Sequence, residues 1–228
     1  MNSKDIIYLT DVKKIIPFVP EKKPSVIAMT KQIYEKYFIQ NELIDYTKLK
    51  ISNIGKYSIA IPELSLDICQ HIIRISGSAD LNVTDALANV GGMTLRFCQF
   101  FKSVNSCELI PLHATILKNN IEVYGYAKKV KVINDDYMNV MKKIKQDIIF
   151  FDPPWGGTDY KEKEFLSLGI NNVNIITIIN ELVPHAKYIF LLAPSNYSPF
   201  ELLKIKNDFQ VIHLIKGKYL ICVKGDKS

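Results

Sequence analysis

The hydrophobic pattern of the chain changes at about residue 80. Before that point, apolar residues recur at helical spacing in VIAMTKQIYEKYFIQNELI and in ELSLDICQHIIRI. The first of these stretches follows the proline-punctuated segment IIPFVPEKKP, and a second helix is expected to start after Pro62. The pattern predicts a small N-terminal helical subdomain over residues 1–75.

After residue 80, short strand-like runs alternate with helix-like stretches. The strand-like runs are LNVTDAL, VNSCELI, KVKVIND, DIIFFDP and YIFLLAPS, and the helix-like stretches between them are GGMTLRFCQFF, LHATILKNNIEVYG, YMNVMKKI and VNIITIINELVPH. This order predicts an α/β fold with a parallel sheet and helices on both faces. Two further alternating runs, FQVIHLI and YLICVKG, flank KGK and predict a C-terminal antiparallel hairpin that closes the sheet. The α/β domain is expected over residues 76–228.

Composition narrows the class of protein only slightly. The 228 residues include 29 Lys+Arg against 23 Asp+Glu, and this excess is compatible with a polyanionic partner. No apolar run is long enough to span a membrane, and the start MNSKDIIYLTDVKK lacks the apolar core of a signal peptide. The four cysteines have no metal-binding spacing, which favours buried thiols. We therefore expect an intracellular protein, a monomer, with no membrane segment and no metal.

Acidic residues end most of the predicted parallel strands, which is where open sheets bind ligands. These strand ends are Asp85, Glu108, Asp135–Asp136, Asp152 and Ser195–Asn196. Gly91–Gly92 before a helix allows a ligand to approach the main chain, and Glu108 has the spacing of an acid that binds a ribose hydroxyl pair. Asp136 could accept from an adenine amino group, with Asp135 capping the next helix. This order of signals is typical of S-adenosylmethionine-dependent methyltransferases.

The segment FFDPPWGG resembles the (D/N/S)PP(W/Y/F) motif of methyltransferases that act on amino groups. An exocyclic base amine is a poor nucleophile because its lone pair is delocalised into the ring. A carboxylate and the carbonyl of Pro153 can accept its N–H protons, while the prolines hold that carbonyl rigidly. Trp155 offers a face on which a base can stack. Asp152, Pro153 and Trp155 are therefore the candidate catalytic residues.

A closer resemblance is to the trimethylguanosine synthase family, which methylates N2 of 7-methylguanosine RNA caps. It rests on PPWGG followed by DY, on NNIEVYG, and on DALANVGGMT. KLKISNIGKYSIAIPE resembles the approach to the family's T-P-E motif, and LLAPSN is similar to its L-P-R-N strand end. The resemblance covers about residues 35–225 and implies a Rossmann-like class I methyltransferase sheet with a helical subdomain folded over it.

The resemblance also implies roles for individual residues. The cofactor S-adenosylmethionine would be held by Asp85, Asn89, Gly91, Glu108, Asp136 and Asp152, with Leu109 against its adenine. The capped RNA would be bound by Trp155, which stacks on the cap base, with Asn120 at the guanine and Asn196, Lys36 and Lys48 as further contacts. When a cationic 7-methylguanine stacks on a desolvated tryptophan face, cation–π attraction contributes about 1–2 kcal/mol to binding.

Three positions depart from the family's pattern. Asp152 replaces the usual serine and is more typical of adenine-N6 enzymes, so an adenine-N6 methyltransferase acting on RNA or DNA stays open. Asn89 replaces the first loop glycine, and asparagine tolerates positive φ better than most residues. Ser195 replaces an arginine that clamps phosphate, so Lys36, Lys48 or Lys50 would supply those contacts. The last two changes leave open a cap-binding module that has lost catalysis. Whether one or two methyl groups are added is also open.

Overall fold

The structure is a computed structural model that describes residues 23–227. The first 22 residues of the predicted subdomain, with most of IIPFVPEKKP, lie outside the described residues. The strands are β1 (Val26–Ile27), β2 (Ile51–Ser52), β3 (Asn82–Asp85), β4 (Ser103–Cys107), β5 (Val130–Ile133), β6 (Ile148–Phe151), β7 (Gly169–Ile170), β8 (Val173–Asn174), β9 (Tyr188–Pro194), β10 (Phe209–Leu214) and β11 (Lys218–Lys224). The α-helices are α1 (Lys31–Tyr37), α2 (Gly55–Ser58), α3 (Pro62–Ser76), α4 (Gly92–Phe100), α5 (Pro111–Val123), α6 (Tyr137–Val140), α7 (Ile175–Leu182) and α8 (Pro199–Leu202).

Seven strands form one mixed sheet in the order β10-β11-β9-β6-β3-β4-β5. The five strands from β9 to β5 run parallel, whereas β11 pairs antiparallel with both β9 and β10. The predicted fold class is confirmed, including the C-terminal hairpin. The chain passes from β3 to β4 on one side and later returns to β6 on the other. The order therefore reverses between β3 and β6, and their carboxyl ends form the crevice where such sheets bind ligands.

The run Ile148–Phe151 is apolar at every position because β6 is central and both faces of the sheet are covered. Ile148 and Phe150 face α3 and α4, and the Phe150 ring meets the Phe97 ring edge-on at 5.5 Å. Ile149 and Phe151 face the opposite cluster, which contains α7. All four cysteines are buried and unpaired, as predicted. Both layers of the core therefore fix the strand that delivers Asp152.

The described part of the predicted N-terminal subdomain is less helical than expected. The stretch with helical spacing over residues 26–44 contains only one short helix, because β1 pairs with β2 and α1 spans only Lys31–Tyr37. Thr30 begins α1 by accepting from the Ile33 amide, and Phe38 turns extended and is buried. The buried apolar residues between Ile27 and Ile59 share one cluster with α5. The boundary at residue 75 stays a prediction.

Candidate active site

A shallow cleft open to solvent lies at the carboxyl ends of β3 and β6. Its lining comes from three places: the loop after β3 with the start of α4, the residue after β6, and the segment between α2 and α3. The lining residues are Ser58, Ile59, Ala60, Asp85, Leu87, Ala88, Asn89, Gly92, Met93 and Asp152. The structure thus brings Asp85, Asn89 and Asp152 together, three of the residues identified from the sequence.

The loop after β3 approaches the cleft through its main chain. Gly91 has φ 107° and precedes α4, while Asn89 has φ 49° and adopts the left-handed conformation expected of it. A Cβ on Gly92 would lie 2.7 Å from the Ala60 carbonyl oxygen, so no side chain fits there. Asp85 is 2 % exposed and accepts from Thr94 Oγ1 at 2.7 Å. Burial raises the pKa of Asp85 to about 7, against the Thr94 hydrogen bond.

Glu108 at the end of β4 is nearly buried and already engaged with the main chain. Its Oε2 accepts from the Asn89 amide and its Oε1 from the Ile110 amide, both at 2.8 Å. Burial raises the pKa of Glu108, and the two amide hydrogen bonds oppose that rise. The next residue, Leu109, is 57 % exposed, which leaves an apolar surface beside the carboxylate. A ribose hydroxyl pair and an adenine ring match this combination of acceptor and apolar surface.

The prediction that Asp135 caps the helix after β5 is wrong, because Asp136 is the cap. Asp136 Oδ1 accepts from the Met138 amide at 2.9 Å and begins α6, and its Oδ2 contacts Asn171 Nδ2. Asp135 accepts instead from the Asp136 amide and from Asn139 Nδ2. Both carboxylate oxygens of Asp136 therefore have protein partners, and its role toward adenine stays a prediction.

The loop after β6 holds the candidate catalytic residues. Burial raises the pKa of Asp152 to about 7, Lys218 opposes that rise, and Asp85 adds to it. Pro153 is buried, and Trp155 is half-buried with the edge of Tyr160 against it at 5.0 Å between ring centroids. Lys218 Nζ lies 3.9 Å from the Trp155 ring centroid. The ring therefore holds a cation on its face in this structure.

Lys218 was not among the residues predicted from the sequence, although the pattern contained a signal for it. Because β11 runs antiparallel to β9, its first residue lies at the edge where the parallel strands end, and Lys218 pairs with Pro194. Burial lowers the pKa of Lys218, the charge of Asp152 opposes that effect, and Lys161 and Lys216 add to it. Where the last strand is predicted to be antiparallel, its first residue is therefore a candidate site residue.

Asn120 does not face the cleft, which corrects the role predicted for it. It is fully buried in α5, its Oδ1 accepts from the Lys50 amide, and its Nδ2 donates to the Lys50 and Val90 carbonyls. All of its hydrogen-bonding atoms serve the main chain, so none is left for a guanine. Its role is to hold the N-terminal segment and the β3 loop to α5.

Asn196 also serves the main chain, and the two lysines predicted to bind substrate make local contacts. Asn196 Nδ2 donates to the carbonyls of Tyr160 and Lys163, which anchors the loop that follows Trp155. Lys36 is exposed with its Nζ 5.0 Å from the Tyr37 ring centroid, and exposed Lys48 pairs with Asp45 at 3.4 Å. Neither lysine lines the cleft.

Comparison with known proteins identifies the family. A sequence model described as RNA cap guanine-N2 methyltransferase matches residues 81–219, more than half of the chain. The chain belongs to this family. The match includes the loop after β3, the DPPW segment and Lys218.

Individual relatives agree with the family match. The chain is 38% identical over 122 residues to Uncharacterized protein L320 of Acanthamoeba polyphaga mimivirus, covering 51% of this chain and 47% of that protein. It is 26% identical over 166 residues to trimethylguanosine synthase of Schizosaccharomyces pombe, covering 70% and 65%. The chain thus spans less than two thirds of each of these relatives.

The fold is shared with solved methyltransferases. The 16S rRNA N2 G1207 methyltransferase of T. Thermophilus, in complex with AdoMet and guanosine, matches with a TM-score of 0.59 and 15% identity over 92% of this chain and 52% of that one.

Within residues 23–227, no cluster of three or more His, Cys, Asp or Glu side chains could hold a metal ion. No helix of the described part is long and apolar enough to cross a membrane.

Proposed function

We propose that this protein transfers a methyl group from S-adenosylmethionine to N2 of the guanine in a 7-methylguanosine RNA cap. One observation carries the proposal: Asp152 lines the cleft at the end of β6, and Trp155 of the same DPPW loop holds a cation over its ring. An aromatic face in the same loop as a carboxylate suits a flat, positively charged base with an amino group. Membership of the cap guanine-N2 family supports that choice of base.

Residues in and beside the cleft fit the cofactor. An adenosine with a short charged tail would meet three matching features here. These are Gly91–Gly92, with no room for a side chain at Gly92, the two carboxylate oxygens of Glu108, and the exposed apolar surface of Leu109. Asn89 Oδ1 is buried without a hydrogen-bond partner among the described residues and lines the same cleft. Asp85, Asn89, Gly91, Glu108 and Leu109 would hold the cofactor, which supplies an electrophilic methyl group when it is bound.

Asp152 would act on the substrate amine. Its carboxylate and the carbonyl of Pro153 would accept the two N–H protons of the guanine amino group, which localises the nitrogen lone pair. Because the pKa of Asp152 lies near 7, the group is an ionised acceptor above neutral pH and can take a proton close to neutral pH. Trp155 would hold the base in the plane that this geometry requires.

Phosphate contacts would come from lysines around Trp155 rather than from Lys36 and Lys48. Lys161 and Lys216 are close enough to Lys218 for their charges to lower its pKa. A Cβ on Gly156 would lie 3.6 Å from Lys163 Nζ, so Lys163 also flanks the tryptophan loop. This group would replace the phosphate clamp that Ser195 lacks. Capped RNA is therefore the proposed partner, and a monomer stays the expected state.

Methyl transfer from labelled S-adenosylmethionine tests the proposal. The substrates are 7-methylguanosine diphosphate and triphosphate, unmethylated GTP, ATP, and adenine-containing RNA and DNA oligonucleotides. Transfer only to the 7-methylated nucleotides, with mass spectrometry counting one or two methyl groups on N2, is expected. Transfer only to adenine would instead support the adenine-N6 activity that Asp152 favours. Cap binding without S-adenosylmethionine binding in calorimetry would show a binding module.

A further inference from the structure

A closed ring of polar contacts joins three segments around the cleft. The Gly55 amide donates to Ser52 Oγ at 2.7 Å, and Ser52 Oγ lies 2.8 Å from His113 Nε2. On its other side, His113 Nδ1 lies 3.8 Å from Glu108 Oε1. Glu108 Oε2 accepts from the Asn89 amide at 2.8 Å, and Asn89 Nδ2 donates to the Gly55 carbonyl at 3.0 Å. The ring therefore returns to the residue at which it began.

The geometry favours one arrangement of protons in this ring. Burial lowers the pKa of His113, so its imidazole is neutral at neutral pH. Because Ser52 Oγ already accepts from the Gly55 amide, its own hydrogen is free to point to His113 Nε2. The imidazole proton is then on Nδ1, where it faces the carboxylate of Glu108.

Ser52, His113 and Glu108 have the residue types of a nucleophile triad, but the surroundings exclude that use. Ser52 has no exposed surface and His113 is 3 % exposed. No acyl group could reach a hydroxyl that lies under the main chain of α2 and accepts its amide. A buried polar chain from the start of α2 through Ser52 and His113 to Glu108 restrains the groups at its two ends. The group at one end is Glu108, and at the other it is the start of α2.

We propose that Ser52 and His113 are positioning residues that couple the segment 51–60 to Glu108, so that a nucleoside bound at Glu108 also orders that wall of the cleft. The inference rests on the proposed function, because it takes Glu108 as the residue that binds the ribose. Ser58, Ile59 and Ala60 line the cleft, whereas Ser52 and His113 do not. Loss of the Ser52 hydroxyl therefore acts on ligand binding only through the ring.

The test uses S-adenosylhomocysteine, the stable product form of the cofactor, with the full chain. Calorimetry measures its affinity, and hydrogen exchange measures protection of the amides of residues 51–60. In the unaltered protein the ligand should slow exchange in this segment. Ser52→Ala loses the hydrogen bonds to the Gly55 amide and to His113, so the affinity should fall about tenfold and the ligand should no longer slow exchange there. His113→Leu should behave like Ser52→Ala, and His113→Gln should recover part of the coupling.

Ser65→Ala is the matched control. Ser65 is equally buried, but its hydroxyl bonds Pro62 and Arg96 between α3 and α4. This variant should lose stability and keep both the affinity and the protection of residues 51–60. The coupling alone would be overturned if Ser52→Ala showed normal affinity and normal protection. If Ser52→Ala does not fold, the same result in His113→Leu would overturn it. An unaltered protein that fails to bind S-adenosylhomocysteine would overturn the proposed function as well. If the unaltered protein binds S-adenosylhomocysteine and the ligand protects residues 51–60, but no cap is methylated, the coupling is supported and the proposed function is not.

Discussion

Asp152→Asn should make the protein more stable and less active at neutral and alkaline pH. Burial raises the pKa of Asp152 from its ordinary 3.8 to about 7. At about 1.4 kcal/mol for each factor of ten, this shift costs the ionised folded protein about 4 kcal/mol. The asparagine carries no charge and avoids that cost. The substitution removes the carboxylate acceptor, so methyl transfer should fall by about a hundredfold.

The sign of the pH dependence follows from proton binding. Between pH 3.8 and 7 the folded protein holds a proton on Asp152 that the unfolded chain has released, so stability falls as pH rises through this window. The stability gained in Asp152→Asn should therefore grow by about 2 kcal/mol between pH 5 and pH 7 and level off above pH 8. At the size of this chain, that corresponds to a rise in Tm of about 4–8 °C.

Urea unfolding at pH 5, 7 and 8 measures this difference, with methyl transfer assayed on the same preparations. The matched control is Asp135→Asn, an exposed acid at the end of β5 whose pKa is lowered by its hydrogen bonds to Asn139 and the Asp136 amide. Its effect on stability should be the same at all three pH values. An Asp152→Asn variant that is less stable than the unaltered protein at pH 8, with a difference independent of pH, would refute a raised pKa for the Asp152 carboxyl.

Three further substitutions test the other residues of the site. Trp155→Ala should lower cap methylation about a hundredfold while S-adenosylhomocysteine binding by calorimetry persists, since stacking and cation–π attraction together contribute about 2–5 kcal/mol. Equal loss of cofactor binding would contradict the stacking role. Asn120→Ala should lower the free energy of unfolding by about 2–4 kcal/mol, because it strands buried main-chain groups of Lys50 and Val90, and an unchanged urea midpoint would show those groups are not dependent on it. Lys218→Met should weaken binding of 7-methylguanosine triphosphate more than that of the uncharged nucleoside. It should also shift the acid limb of the pH–rate profile to higher pH, because Lys218 lowers the pKa of Asp152. An acid limb that does not move would show that the charge of Lys218 does not act on Asp152.

The sheet was predictable from sequence because its signals are local. Short strand-like runs alternate with helix-like stretches along this part of the chain, and Asp85, Glu108 and Asp152 lie at or just after the ends of β3, β4 and β6. The N-terminal segment was not predictable in the same way. Val26 pairs with Ser52, and this contact between distant residues favours an extended strand over the helix that the local periodicity predicts.

The asparagines show the same limit within the site. Their side chains satisfy main-chain groups that are remote in sequence, such as Lys50 for Asn120 and Tyr160 for Asn196. A motif gives the residue type at a position but does not show which buried carbonyl needs a donor there. Asn89 was easier to predict, because its positive φ follows from its place in a turn whose glycine it replaces.

Two departures from the trimethylguanosine synthase pattern change the charge of the site, and Lys218 offsets part of that change. An acid in place of serine at Asp152 and a serine in place of arginine at Ser195 each make the site one charge more negative. Lys218 offsets part of this change, because its ammonium lies over Trp155 and its charge lowers the pKa of Asp152. The same ammonium occupies the type of position that a 7-methylated guanine would take. A base that displaces Lys218 from the ring must therefore replace a cation, which favours a guanine that carries the N7 methyl group over one that does not.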